Sequence, residues 1–309
     1  MKNRVLRSAG IVLMILSAGF LIYRITKIDF SSINIDLSFS SIMLLVLALI
    51  LQAVSVFVLG ILFARNVGKG KDGQKVPLKD AVLVYCRANL GKYIPGNVFQ
   101  YVERNLFFSS YGVNQVDTVL ASLMEVVCLI IGAFVLSLIF GNFEVIREAV
   151  RQYGYVIPII CGFAVIIVII GIIIIRKKKK SLKSIIKRLK SRGGIKLIAL
   201  DVVSYLLILL LMGAVTLIMV CAMSSPGSAT PELSGLMGAY IAAWLCGFVI
   251  IGAPGGIGVR EAVFSLIYIN TPYLDTVLAL SLLVRVISII SDVLAFVIMK
   301  VLCTSRRSV

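Results

Sequence analysis

The stretch IGAPGGIGVREAVF, residues 251–264, places Pro254 ahead of Gly255, Gly256 and Gly258 and follows them with Arg260 and Glu261. Proline ends a helix because it lacks an N–H and its ring clashes with the preceding turn, and glycine accepts the backbone angles of the break. A helix that restarts there presents bare N–H groups, and its dipole adds partial positive charge. With the full charge of Arg260 beside it, this is a site suited to a phosphate. The stretch KYIPGNVFQYVERN, residues 92–105, repeats the layout more loosely, with Tyr93, Pro95 and Gly96 ahead of Glu103 and Arg104. Glu125, Arg285 and Asp292 lie inside apolar runs, where ionisable groups are costly and usually mark function.

Each of these residues also has a plainer reading. Pro254 and its glycines make an ordinary extracellular turn if Arg260 and Glu261 neutralise one another. Arg285 pairs with Asp292, seven residues on along one helical face, or with Glu125. Lys92 places the first Pro-Gly turn close to the inner surface, Asp201 is interfacial, and Trp244 makes lipid or packing contacts.

The chain has no histidine, which removes His-based acid–base catalysis, His–Cys zinc sites and Ser-His-Asp triads. An enzyme acting on lipid phosphate would be left with Glu103, Glu125 or Glu261 and arginines, a thin set, so no catalysis is expected. The six cysteines are scattered without a C-x-x-C pair, as suits small hydrophobes in helix packing. GKGKDGQK lacks the spacing and Lys-Ser/Thr ending of a phosphate-binding P-loop. No metal or cofactor is expected.

The elements that position these groups follow from composition. The 309 residues are 60% hydrophobic, with a mean hydropathy of +1.06, above soluble domains. Ser41–Ala64, Thr118–Phe140, Tyr155–Ile175, Ile195–Met223 and Leu274–Leu302 approach or exceed the roughly 20 residues that span hydrocarbon as a helix. Ser8–Tyr23 is shorter and flanked by Arg7 and Arg24. The start has the layout of a signal peptide, but no A-x-A-type site follows, so it reads as a first span. Period-2 alternation is absent, which excludes a barrel.

The net charge of +17 is concentrated beside these runs: eleven Lys/Arg and no acid lie between Arg176 and Lys196. That is a cytoplasmic anchor to anionic lipid headgroups rather than a nucleic-acid surface. Residues 65–92 carry seven basic and two acidic residues, whereas 24–40 and 141–154 are neutral. Applied loop by loop, the positive-inside rule puts both termini in the cytoplasm. Residues 81–116 then leave and re-enter the inner face, and 236–269 the outer face. The expected fold is an all-α polytopic membrane protein, with about six full spans plus two Pro-Gly helical hairpins. It is a single integral domain whose halves, 1–150 and 151–309, form an inverted-topology repeat. Whether the hairpins are re-entrant or cross fully is not decided by length.

GKYIPGNVFQYVER, Glu125 in the next span, APGGIGVREAVF and Arg285 together resemble the lysylphosphatidylglycerol synthase transmembrane region, the flippase-like membrane domain of multiple peptide resistance factors. The resemblance covers nearly the whole chain, and its most specific part is the Pro-Gly-Gly-x-Gly-x-Arg-Glu stretch. A tryptophan often seen after the first Pro-Gly is replaced here by the Val98-Phe99 region. The sequence ends soon after the last span, so synthesis of a lysylated lipid is not expected of it. The resemblance implies a cell-membrane protein that moves a phospholipid or lipid-linked headgroup between leaflets. The headgroup site would comprise Pro254, Gly255, Gly256, Gly258, Arg260, Glu261, Tyr93, Pro95, Gly96 and Arg104, with Glu125, Arg285 and Asp292 as intramembrane charges. The alternative is a non-catalytic subunit accompanying a glycosyltransferase or other envelope lipid enzyme. Expected partners are membrane lipids, anionic lipid at the basic loop, and an envelope enzyme or a second copy.

Overall fold

A computed structural model describes residues 38–68, 73, 75–94, 99–141, 194–223, 230–250 and 254–304. The expected spans Ser8–Tyr23 and Tyr155–Ile175, most of the basic cluster, and Pro95 and Gly96 lie outside the described residues.

The described residues form eight α-helices and two 3-10 turns, with no strand among them. The helices are α1 (Phe39–Asn66), α2 (Leu78–Leu90), α3 (Phe99–Ser110), α4 (Gln115–Phe140), α5 (Gly194–Met223), α6 (Leu233–Val249), α7 (Val259–Ile267) and α8 (Leu274–Thr304). The turns are Gly91–Tyr93, after α2, and Pro254–Gly256, before α7. α1, α4, α5 and α8 are long and apolar enough to cross a membrane, and they are four of the runs read from the sequence. The protein is a polytopic α-helical membrane protein.

Caps set where the long helices begin. The Ser38 hydroxyl accepts from the Ser41 N–H at 3.3 Å, and the Asn114 side-chain oxygen accepts from the Val116 N–H at 3.0 Å. Each satisfies one of the N–H groups a helix start leaves over. Along α1, Ala48, Gln52, Ala53, Ser55 and Gly60 face inward, while Ile42, Met43, Val46, Leu47 and Ile50 face outward. In lipid the large apolar side chains lose nothing by staying outside, and small ones inside let helices approach.

α5 is the most enclosed span, with half of its most apolar window buried against about a third or less in the other three. It packs on α1, α4, α6 and α8, and Leu209, Leu236 and Ile241 fill the core it shares with α6. Glycines set the closest approaches. A Cβ on Gly238 of α6 would lie 2.5 Å from the backbone at Phe140–Gly141, where α4 ends. Because backbone has no rotamer with which to yield, Gly238→Ala is expected to cost about 1–3 kcal/mol as overpacking does. Its check is the thermal unfolding midpoint in detergent.

The principal helix pairs reproduce themselves when α1–α4 are exchanged for α5–α8. α1 packs on α5; α2 on α8 as α6 on α4; α3 on α4 as α7 on α8; α1 on α2 as α5 on α6. This is the pairing that an internal repeat with a two-fold relation requires. Each half gives its first hairpin helix to the other half's last span.

Candidate functional site

The second hairpin is built as its residue types dictate. α6 stops at Val249, and three glycines then take left-handed backbone angles: Gly255 at φ 56°, Gly256 at 76° and Gly258 at 82°. A residue with a Cβ pays steric energy in that region and glycine does not. At the restart, the Glu261 carboxylate accepts from the Gly258 N–H at 2.8 Å. The expectation that the new helix opens on bare N–H groups is thereby corrected at Gly258: the chain's own carboxylate occupies that helix start.

Glu261 also faces Arg285 of α8, whose Nη2 lies 3.3 Å from Oε1, and Arg285 Nη1 donates to the Gly255 carbonyl at 2.7 Å. Arg285 therefore ties the break to the last span. Its expected partners, Asp292 or Glu125, are replaced by Glu261, because the hairpin carries that carboxylate to α8. The turn reading in which Arg260 and Glu261 neutralise one another is corrected by the same geometry.

Arg260 is wedged by two glycines. A Cβ on Gly247 would come within 2.4 Å of its Cγ, and one on Gly256 within 2.8 Å of its Nε. Its guanidinium lies 5.6 Å from the ring centre of Trp244, which stacks on Phe248 at 4.9 Å. Trp244 is thus packed within the protein. Arg260 Nε is buried with neither a hydrogen-bond acceptor nor a carboxylate partner, whereas Arg285 Nη2 is buried with only its ion pair to Glu261. Both residues line a cavity of about 20 Å³, together with Tyr240, Glu261, Ser281 and Ser288. That is space for about one water.

The first hairpin reaches the same place. The last turn of α2 and the tip that follows it bring three donors to Asp292 of α8: Asn89 Nδ2 at 2.7 Å, the Tyr93 hydroxyl at 2.5 Å and Lys92 Nζ at 2.7 Å. Asp292 is 2% exposed, and at 1.5 Å per residue it sits about 27 Å along α8. Lys92 therefore meets a buried carboxylate of the last span. The ring of Tyr93 lies against Gly255, where a Cβ would stand 3.2 Å from Cδ1 and 3.4 Å from Arg285 Nη1. The two hairpin tips therefore touch, at a residue whose positive φ favours glycine.

Arg104 and Glu125 form a different unit. Arg104 Nη1 donates to Glu125 Oε2 at 2.8 Å and the Tyr85 hydroxyl to Oε1 at 2.6 Å. The guanidinium lies 3.9, 4.9 and 5.5 Å from the ring centres of Tyr85, Phe63 and Tyr101. Arg104 is 1% exposed, and its one donor without an acceptor, Nε, lies among these rings. This pair mirrors Glu261–Arg285 with the charges exchanged: hairpin cation to span anion in one half, hairpin anion to span cation in the other. Asp201, expected at the interface, is buried and paired with Arg65 of α1. Asn89, Lys92, Tyr85 and Trp244 were not singled out from the sequence as site residues. The spacing of Asn89, Lys92 and Tyr93, three and four residues apart on one helical face, was the available signal.

No curated protein and no solved structure matches the chain. Residues 8–295, which take in both hairpins and all four described spans up to Ala295 of α8, match the family model described as lysylphosphatidylglycerol synthase TM region, and the chain belongs to that family.

Proposed function

We propose that the protein is a lipid translocase that carries a phospholipid or lipid-linked headgroup between leaflets, with the headgroup held where the two hairpin tips meet. The observation that supports this most is the buried Arg260 Nε, a guanidinium donor without an acceptor in a cavity that Arg285 also lines. A buried donor left unpaired costs about 1–3 kcal/mol, and a phosphate oxygen entering the cavity would recover that cost through charge-assisted bonds. Membership in a lipid-synthase membrane family agrees with a membrane-lipid-related function.

The hairpin helices are short: α2 has 13 residues, α3 12, α6 17 and α7 9. At 1.5 Å per residue these reach about 20, 18, 26 and 14 Å, each less than the hydrocarbon thickness of about 30 Å. They are re-entrant, and their broken backbone lies where protein and cavity surround it. With about 20 Å³ of space, this is a closed arrangement; a headgroup enters when the tips separate. Both termini face the cytoplasm of the cell membrane, and the basic cluster at 176–196 concentrates anionic lipid on that side.

The test is leaflet translocation by purified protein in liposomes, using fluorescent phosphatidylglycerol and a quencher confined to one side. Wild type is expected to exceed protein-free vesicles. Arg260→Gln is expected to lower the rate at least about tenfold, the effect of 1.4 kcal/mol on the limiting step, with a melting midpoint no lower than that of wild type. Equal rates in the two proteins would detach the hairpin from transport. No transport by either would leave the alternative of a subunit that holds lipid for an envelope enzyme, to be sought by co-purification.

A further inference from the structure

The charges at the hairpin junction do not balance. Lys92, Arg260 and Arg285 converge there, against Glu261 and Asp292. The other carboxylates buried in the described helices are already taken, Glu125 by Arg104 and Asp201 by Arg65. Among the described residues, no carboxylate pairs with Arg260, and the junction holds one positive charge in excess. An isolated charge out of water is expensive, so the junction favours a ligand that removes one positive charge and adds none.

We infer that the site selects a monoanionic phosphate diester whose remaining headgroup is uncharged. This rests on the headgroup site proposed above and names its substrate class. A non-bridging oxygen of a diester matches the donor without an acceptor, Arg260 Nε, and Arg285 and the hydroxyl-bearing Ser281 and Ser288 line the same cavity. A phosphomonoester or a diphosphate brings a second negative charge toward Glu261. A headgroup bearing an amine, zwitterionic or cationic, needs a carboxylate of its own. None is available, since Glu261 is occupied by Arg285 and the Gly258 N–H, and Asp292 by Asn89, Lys92 and Tyr93. The overall basic charge of the chain would attract any anion; the junction distinguishes among them by the excess of one.

The protein contains its own reporter. Trp244 is the single tryptophan of the chain, and its ring centre lies 5.6 Å from the Arg260 guanidinium. Protein in neutral detergent is titrated with short-chain phosphatidylglycerol, phosphatidylcholine, phosphatidic acid, lysylphosphatidylglycerol and inorganic phosphate, reading Trp244 emission. Phosphatidylglycerol is expected to saturate the signal at least about tenfold more tightly than each of the others, a preference worth about 1.4 kcal/mol. Arg260→Gln is expected to erase that preference and Arg260→Lys to retain part of it. Native mass spectrometry of co-retained lipid gives the same ranking independently of fluorescence. Equal affinity for phosphatidylcholine, tightest binding of the lysylated lipid, or a preference that survives Arg260→Gln would overturn the assignment. Saturation by inorganic phosphate at equal concentration would overturn it in favour of a free-phosphate site. Emission that no ligand changes, together with no phosphatidylglycerol retained, would overturn it as well.

The translocation reading fails separately. Phosphatidylglycerol-selective binding without movement in liposomes would remove transport and leave the selectivity. Movement of phosphatidylcholine as fast as phosphatidylglycerol would remove the selectivity and leave transport.

Discussion

Glu125→Leu is expected to destabilise the protein by about 3–5 kcal/mol, because it strands a buried guanidinium. Arg104 is 1% exposed and has Glu125 as its ion-pair partner, and the Tyr85 hydroxyl loses its acceptor at the same time. The rings of Tyr85, Phe63 and Tyr101 around the guanidinium hold it in place, so it has no short path to water. The triple variant Tyr85→Phe, Arg104→Met, Glu125→Leu removes every polar member together and is expected to recover most of the loss, as apolar replacement of whole buried ion pairs often does. Thermal unfolding in detergent reads both. Recovery of stability together with wild-type translocation would make this unit a structural clasp within the first half. Recovery of stability without transport would bring Glu125 and Arg104 into the machinery instead.

Asp292→Leu is the second large effect, and it is expected to differ in kind. Asp292 accepts from three donors of the first hairpin, so its loss leaves an ammonium, a phenol and an amide unpaired together. The expected cost is again about 3–5 kcal/mol for the stranded charge, with about 1–3 kcal/mol for each neutral group that stays buried. Adding Lys92→Met is expected to restore only the charge part, because Asn89 and Tyr93 remain without an acceptor. The hairpin tip should then leave α8. The readout is trypsin cleavage at Arg87, an exposed residue that pairs with Glu103 across the hairpin: cutting is expected to quicken in Asp292→Leu and to stay slow in Glu125→Leu at matched stability. Equal cutting in both would mean that Asp292 does not fasten the tip.

The long spans were legible because hydrocarbon demands long apolar runs, and α1, α4, α5 and α8 answer to four of them. The hairpins were legible from proline and glycine beside charge in otherwise apolar sequence. The partners of the buried charges were not read correctly, since a choice among carboxylates is made by the fold. Arg285 had Asp292 on its own helical face, yet it takes Glu261, which the hairpin brings to it. Lys92 read as an interfacial cation because lysine is costly at depth, and its pairing with a carboxylate far along the chain, on α8, shows only in the fold. One signal was present in the sequence. The second residue of each hairpin dipeptide, Arg104 or Glu261, is opposite in sign to the later span charge, Glu125 or Arg285, and those are the pairs that form. The unpaired donor of Arg260 had no sequence signal, because an acceptor's absence shows only once the packing is known.

The most direct measurement is the distance from lipid phosphorus to arginine side-chain nitrogen by solid-state NMR, with ¹⁵N-arginine protein in phosphatidylglycerol bilayers. Hydrogen bonding of a guanidinium nitrogen to a phosphate oxygen at about 2.8 Å produces a strong nitrogen–phosphorus coupling. The expected result is such a coupling at nitrogens that a water-soluble paramagnetic agent does not reach, lost in Arg260→Gln. Shielded arginine nitrogens with no phosphorus coupling, or a coupling unchanged in Arg260→Gln, would contradict a lipid phosphate at the hairpin junction.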